Sequence, residues 1–297
     1  MMRIAFTSDL HADITAENQK LLPYLAEEIL RLEPDAVVLA GDIANNLSGW
    51  KATLTHFNEI GVPKFIIPGN HDVWVESKNA LKRGQDSAWK YRIALPECAR
   101  DFGFHYLPGQ PFVLGDVGFA GSLGWYDYSL RDKRLDGTLS KLDYQRGEFR
   151  EGSWNDIRYA SWLRDPHAVH WRRRRAWIDD IEVCKTMREE LARDLQQIAS
   201  QVSKLVVAIH TAPIERALER SAVPDPFEAY EGSMEHGILL KEFACQRSLV
   251  VICGHRHRPL DIEEDGIRVM RNPIGYLNRA ITDYRSQARE GVAVLVL

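Results

Sequence analysis

An apolar run, Lys64-Phe65-Ile66-Ile67, leads directly into Pro68-Gly69-Asn70-His71-Asp72, and this stretch decides the fold. The run is typical of a short buried strand, and Gly69 lets the backbone turn without the steric penalty of a Cβ atom. The turn that follows carries an amide, an imidazole and a carboxylate side by side on Asn70, His71 and Asp72. A single turn of this kind is most often an ordinary polar loop, so its meaning depends on what the chain places beside it.

The first 72 residues alternate strand, helix, strand, helix and strand. The predicted strands lie at 3–7, 35–40 and 64–67, and the predicted helices at 16–32 and 48–60. This alternation predicts parallel strands with helices on the outside, and ligands of such sheets bind where the carboxyl ends of the strands emerge. The first two strands also end in polar motifs, which are Ser8-Asp9-Leu10-His11 and Gly41-Asp42. We therefore expect all three motifs at one edge of the sheet.

Two strands in the second half of the chain end in histidines. Strand 205–209 is followed by His210, and strand 248–253 by Gly254-His255-Arg256-His257. The remaining predicted elements are a helical stretch at 76–100, short strands at 104–107, 111–114 and 117–121, helices at 176–201 and 234–246, and closing strands at 260–264, 267–271 and 291–296. The Pro-Gly and Gly-Asp turns between the short strands after residue 104 predict antiparallel hairpins.

Five polar clusters therefore terminate five apolar strands, and side chains at the same end of parallel strands must converge. Together they offer two carboxylates, one amide and four imidazoles beside one further histidine. Nitrogen and oxygen ligands of this kind suit Mn, Fe, Zn or Ni, whereas calcium needs more oxygen and structural zinc usually more sulfur. The sequence therefore predicts a metal centre, and its candidate ligands come from the clusters Asp9/His11, Asp42, Asn70/His71, His210 and His255/His257.

Composition narrows the class of protein. The chain has 297 residues, 45% of them hydrophobic, and a net charge of -4, which argues against a protein that coats nucleic acid. No apolar stretch approaches the roughly 18 residues that a membrane span requires, so no membrane partner is expected. The four cysteines form no Cys-x-x-Cys pair and are interpreted as reduced thiols. We expect one cytoplasmic domain over residues 1–297.

The ordered motifs resemble those of the calcineurin-like metallophosphoesterases. That family's pattern is Asp-x-His, Gly-Asp, Gly-Asn-His-Asp/Glu, His and Gly-His-x-His, and it occurs here in order at 9–11, 41–42, 69–72, 210 and 254–257. The resemblance implies an α/β fold, a four-layer α-β-β-α sandwich of two mixed sheets flanked by helices. It also implies an enzyme, a phosphoric ester hydrolase with two divalent metal ions whose identity (Mn, Fe or Zn) stays open.

The resemblance assigns a role to each motif residue. Asp9, His11 and His257 would hold the first ion, Asn70, His210 and His255 the second, and Asp42 would bridge both. A metal-bridged hydroxide would attack phosphorus in line, and His71 would be the general acid that protonates the leaving oxygen. Asp72 is expected to orient His71.

The expected substrate is a phosphodiester or a small phosphorylated metabolite. The Ser/Thr protein phosphatases of this superfamily are disfavoured, because they follow Gly-Asp with an Asp-Arg-Gly element and this chain has Gly41-Asp42-Ile43-Ala44-Asn45-Asn46. Two alternatives stay open. One is a nuclease acting on DNA or RNA ends, although a nucleic-acid substrate is not favoured. The other is a non-catalytic scaffold of the same fold.

An aromatic and basic insertion at about 122–203 is predicted to decide the substrate. Trp125 and Tyr126 follow a core strand and are candidate substrate-binding residues in the cleft; the alternative is that they pack the insertion onto the core. The run Arg172-Arg173-Arg174-Arg175 is interpreted as a solvated helix entry or a surface for an acidic partner, with a nucleic-acid contact as the alternative. The long helix behind it is expected to pack on the core, or else to pair with another subunit.

Overall fold

The alternation predicted for the N-terminal third is present in the computed structural model, which describes residues 1–75, 77–164 and 178–297. It consists of β1 (Arg3–Thr7), α1 (Ala16–Arg31), β2 (Ala36–Ala40), α2 (Leu47–Thr55) and β3 (Lys64–Ile67). Side chains set both helix starts, because Thr15 and Asn46 each accept a hydrogen bond from a backbone N–H of the first turn. The three strands are almost entirely buried, as expected of strands covered on both faces.

The rest of the chain adds short strands and helices around this core. In chain order these are α3 (Lys78–Lys82), α4 (Ser87–Trp89), α5 (Leu95–Asp101), β4 (Phe104–Tyr106), β5 (Phe112–Leu114), β6 (Val117–Ser122), α6 (Lys141–Arg146), β7 (Glu148–Phe149), β8 (Gly152–Ser153), α7 (Asp156–Tyr159), α8 (Asp180–Ala199), β9 (Lys204–Ile209), α9 (Met234–Ala244), β10 (Ser248–Cys253), β11 (Leu260–Glu264), β12 (Ile267–Arg271), α10 (Tyr284–Gly291) and β13 (Ala293–Val296).

Two mixed sheets carry the fold. The first has the strand order β13-β1-β2-β3-β4, in which β13 is antiparallel to β1 and the other neighbours are parallel. The second has the order β11-β12-β10-β9-β6-β5, parallel in its centre and antiparallel at both edges. A two-stranded ribbon, β7-β8, lies in the insertion.

The two sheets pack face to face, with helices on their outer faces. Alternate residues of both sheets share one buried cluster, in which the rings of Phe65 and Phe119 stack 4.3 Å apart. The outer face of the first sheet packs with α1, α2, α5 and α10 residues, and that of the second with α8 and α9 residues. The expected four-layer α-β-β-α sandwich is confirmed.

Some sequence predictions differ from the structure in detail. The predicted hairpin after residue 104 holds for β5 and β6, but β4 pairs parallel with β3. Helix α10 was not predicted, because it is mostly polar and buries little beyond Ala288 and Gly291 against the core. The predicted 176–201 helix is observed over Asp180–Ala199, and Arg172–Arg175 lie outside the described residues.

The insertion leaves and rejoins the second sheet at neighbouring strands. Strands β6 and β9 pair in parallel, with Ser122 opposite Ile209, so the chain between them makes one long crossover. Helix α8 closes this crossover by packing its apolar stripe against the sheet. Among the described residues, no helix combines the length and the apolarity that crossing a bilayer requires.

Candidate metal centre

The carboxyl ends of five parallel strands meet at one edge of the sandwich. Strands β1, β2 and β3 come from the first sheet, and β9 and β10 from the second. His210 joins the two sheets, because its Nδ1 lies 2.9 Å from the carbonyl oxygen of Ala40, and its own carbonyl accepts from the N–H of Gly254. The structure thereby brings together all seven predicted ligands, which are Asp9, His11, Asp42, Asn70, His210, His255 and His257. Six of them belong to three groups of side chains that could hold a metal ion. The seventh, Asn70, contacts two of these six, His210 and His255.

The backbone at these strand ends is strained. Asp9, Asp42 and His255 have φ angles of 54°, 53° and 69°, in the left-handed region that side chains other than glycine rarely adopt. Each such residue costs roughly 1–3 kcal/mol and persists only where the surroundings enforce it. Each of the three stands two residues after the end of its strand and contributes to a candidate ligand group.

Two motif glycines are required by close packing. A Cβ atom on Gly69 would lie 2.1 Å from Oδ1 of Asp42, and one on Gly41 would lie 2.4 Å from Nδ1 of His210. Both distances are far below van der Waals contact. The glycine in each motif therefore leaves room for a ligand that arrives from a different strand.

One group of ligand atoms comes from Asp9, His11 and His257. The Nε2 atoms of His11 and His257 lie 3.0 Å apart, and Nε2 of His257 lies 3.5 Å from Oδ1 of Asp9. Asp42 borders this group, with Oδ2 3.6 Å from Nε2 of His11. Lone pairs of nitrogen and oxygen thus converge on one point.

A second group comes from Asp42, His210 and His255. Oδ2 of Asp42 lies 3.4 Å from Nε2 of His210. The side-chain oxygen of Asn70 lies 3.3 Å from the same nitrogen and 3.0 Å from Nδ1 of His255. Because Asp42 touches both groups, it stands where a bridging ligand would stand.

The donor set fits two divalent cations. The bond from Nδ1 of His210 to a backbone carbonyl leaves its Nε2 lone pair free for the centre, an arrangement common at metal sites. Burial lowers the pKa of His11 and of His255 to about 3, so both imidazoles stay neutral. Although burial opposes it, Asp42 and Asp9 raise the pKa of His210 to about 10, so a cation that binds through Nε2 would displace a proton from this imidazole.

His71 lies at the edge of this centre, in a group with His11 and Asp42. Its Nδ1 is 2.8 Å from Oδ1 of Asn45, and its Nε2 is 3.3 Å from the hydroxyl of Tyr276. The indole of Trp74 covers the ring at a centroid distance of 3.8 Å. These contacts fix the direction of both imidazole nitrogens.

The structure corrects the role predicted for Asp72. Its carboxylate points away from His71 because the 3₁₀ turn over His71–Val73 directs it inward. There it accepts hydrogen bonds from the backbone N–H groups of Ile43, Ala44 and Gly69 and from the indole of Trp50. The prediction that Asp72 orients His71 is therefore wrong, and Asn45 occupies that position instead.

Trp125 and Tyr126 do not line the cleft. Trp125 is 0% and Tyr126 1% exposed, and their rings stack 4.7 Å apart inside the core. The indole N–H of Trp125 donates to Asp180 at the start of α8. The structure thus contradicts the substrate-binding prediction for both residues and favours the packing alternative.

Other residues that line the site were missed. A cavity of about 320 Å³ is bordered by His71, Trp154, Glu231, Arg256 and Tyr276. A second cavity of about 610 Å³ adjoins it, and its lining shares His71 and Tyr276 and adds Trp74 and Tyr159. Asn45 and Trp74 could have been suspected from their positions beside the Gly-Asp and Asn-His-Asp motifs. Tyr276 and Glu231 stand in no motif.

The fold of this chain is similar to those of several solved structures. A structure of phosphopantetheinyl hydrolase (PptH) from Mycobacterium tuberculosis is 18% identical with a TM-score of 0.70, and the alignment covers 99% of this chain and 95% of that one. TT1561 of Thermus thermophilus is 13% identical with a TM-score of 0.53, covering 99% and 97%. A dimetal phosphatase from Danio rerio is 13% identical with a TM-score of 0.50, covering 91% and 86%.

At these identities the neighbours establish the fold. In sequence, no curated protein matches the chain. The model of the calcineurin-like phosphoesterase family, however, matches residues 2–259, and this span contains every candidate ligand. The chain therefore belongs to the calcineurin-like phosphoesterases and is a metallophosphoesterase of the hydrolase class.

Proposed function

We propose that this protein is a dinuclear metal-dependent phosphoester hydrolase. The observation that carries the proposal is the meeting of two ligand groups at one carboxylate, Asp42. Asp9, His11 and His257 would hold one ion, and Asn70, His210 and His255 the other. When bound, two such ions acidify a water molecule and neutralise the charge of the phosphoryl oxygens.

The residues around His71 suit it to act as the general acid. Asn45 accepts from Nδ1 of His71, which directs Nε2 toward the cleft beside the hydroxyl of Tyr276. An imidazolium held in this way can donate its Nε2 proton to the departing oxygen of the substrate. The indole of Trp74, tilted by 32° at a centroid distance of 3.8 Å, limits rotation of the ring.

A phosphodiester is the favoured substrate. The two cavities meet at His71 and Tyr276, so a phosphoryl group placed there has room for a substituent on either side. One side presents the aromatic rings of Trp74 and Tyr159 and the other the guanidinium of Arg256. The name of the structural neighbour PptH adds a phosphopantetheinyl compound to the panel of substrates worth testing.

We further propose one domain over residues 1–297 in a reducing compartment such as the cytoplasm. One hydrophobic cluster supports the first point, since it joins residues from Ala5 to Val292 and includes the insertion's Trp125 and Tyr144. The four cysteines support the second, because all are free.

The test is hydrolysis of bis-p-nitrophenyl phosphate and p-nitrophenyl phosphate by metal-stripped protein resupplied with Mn²⁺. We expect the wild-type protein to hydrolyse the diester. Asp42→Asn should lose both this turnover and metal binding. The control Asp194→Asn, which changes a carboxylate of α8 outside the centre, should retain the turnover. Absence of turnover of either substrate by wild-type protein with two bound ions would refute the hydrolase and favour the scaffold alternative. Preference for DNA ends over small diesters would favour the nuclease.

A further inference from the structure

A buried carboxylate from the insertion reaches the metal centre. Asp156 begins α7 and is 2% exposed. Its Oδ1 accepts from Nδ2 of Asn70 at 3.0 Å and from the indole of Trp74 at 2.6 Å, and its Oδ2 accepts from the indole of Trp154 at 2.9 Å. We infer that Asp156 is a positioning residue that orients Asn70 as a ligand of the second ion, an inference that rests on the proposed dinuclear function.

The chemistry of the two side chains explains the orientation. An amide has an acceptor end and a donor end, whereas a carboxylate offers acceptor atoms alone. The donor end of Asn70 must therefore face Asp156, and its oxygen faces the opposite way, toward His210 and His255. A flipped amide would place its oxygen against the carboxylate, so Asp156 holds a metal-binding atom in place.

The same carboxylate also supports the predicted acid. Oδ1 of Asp156 holds the indole of Trp74, and this ring covers His71 at 3.8 Å. Its other partner, Trp154, lies 5.9 Å from the ring of His255. One residue of the insertion is therefore linked to a ligand of the second ion, to the ring that covers His71 and to the wall of the cleft.

Burial of Asp156 is costly unless its oxygens are satisfied, and three N–H donors satisfy them. If Asp156 served only to fold the insertion, it would not need to accept a hydrogen bond from Asn70, a candidate metal ligand. Asp180 provides the comparison, since it lies in the same insertion and accepts from the indole of Trp125 and the hydroxyl of Tyr128. Both of those partners belong to the core cluster.

The test is titration of metal-stripped protein with Mn²⁺ by isothermal calorimetry, with folding checked by circular dichroism. In Asp156→Ala we expect the dissociation constant of the second ion to rise about 10–100-fold, with that of the first ion nearly unchanged. The matched control Asp180→Ala should bind both ions like wild type. In Asp156→Asn the dissociation constant of the second ion should lie between those of wild type and the alanine variant, because an amide can present either end to Asn70. If the alanine variant does not fold, the asparagine variant is used for the test in its place.

Three results would overturn the inference. The first is binding of both ions by Asp156→Ala with wild-type affinity. The second is equal weakening in Asp156→Ala and Asp180→Ala, which would show that the insertion acts only through folding. The third is wild-type protein that binds fewer than two ions, which would refute the dinuclear function and this inference with it.

Discussion

Replacing Asp72 by alanine should lower the free energy of unfolding strongly, because its carboxylate stabilises the fold and does not contact His71 directly. The carboxylate accepts four hydrogen bonds, from the N–H groups of Ile43, Ala44 and Gly69 and from the indole of Trp50. Removing it leaves four buried donors unpaired, and each costs about 1–3 kcal/mol. We therefore expect the free energy of unfolding to fall by at least ~4 kcal/mol, a large share of the roughly 5–15 kcal/mol typical of a native protein.

Asp72→Asn separates this explanation from a direct catalytic one. The asparagine oxygen can replace Oδ1, which serves Ile43, Ala44 and Trp50, while its NH₂ group opposes the single donor of Gly69. The loss should then be about 1–3 kcal/mol, the cost of one unpaired donor. Urea denaturation followed by circular dichroism measures both variants. If both kept the wild-type free energy of unfolding and lost only turnover, the structural role assigned to Asp72 would be refuted.

Three further predictions concern the acid, the second ion and pH. Asn45→Ala should bind Mn²⁺ normally but lose about 10-fold or more in turnover of an alkyl phosphodiester, since His71 loses the partner of its Nδ1; an equal loss on a p-nitrophenyl ester, whose leaving group needs no acid, would contradict this. His255→Ala should reduce the calorimetric Mn²⁺ stoichiometry from two to one, and retention of two ions would remove His255 from the ligand set. Burial raises the pKa of Asp194 from 3.8 to about 6, so its contribution to stability is full below pH 4 and is lost as the pH rises through 6. Asp194→Asn should therefore flatten the pH dependence of the urea midpoint between pH 4 and 7, and an unchanged profile would show that another group causes it.

The candidate metal centre was predictable because its candidate ligands follow strands. A strand is a local pattern, and parallel strands bring residues that are distant in sequence to one edge. Asp9, Asp42 and His210 could therefore be assigned to one site without coordinates. The rule covers the first residues after each strand and no others.

Residues that contact the site from other parts of the fold could not be predicted from strand ends. Tyr276 follows no motif, and Asp156 lies in a short helix of the insertion, so packing alone brings them to His71 and Asn70. Trp125 illustrates the opposite error, because an aromatic residue after a core strand can turn toward the cleft or into the core. Its indole N–H donates to the buried carboxylate of Asp180, a contact between residues distant in sequence that no local pattern predicts.

The pairing of β6 with β9 also bears on how this protein can change over evolution. Their neighbouring positions, with Ser122 opposite Ile209, fix both ends of the intervening chain to the same sheet whatever lies between them. Each doubling of a flexible loop costs only about 0.6 kcal/mol in closure entropy, so exposed loops of this segment can lengthen or shorten at little cost, whereas α8 and the buried Trp125 and Tyr144 must keep covering the core. Such changes leave the candidate site intact only where a carboxylate equivalent to Asp156 still meets Asn70.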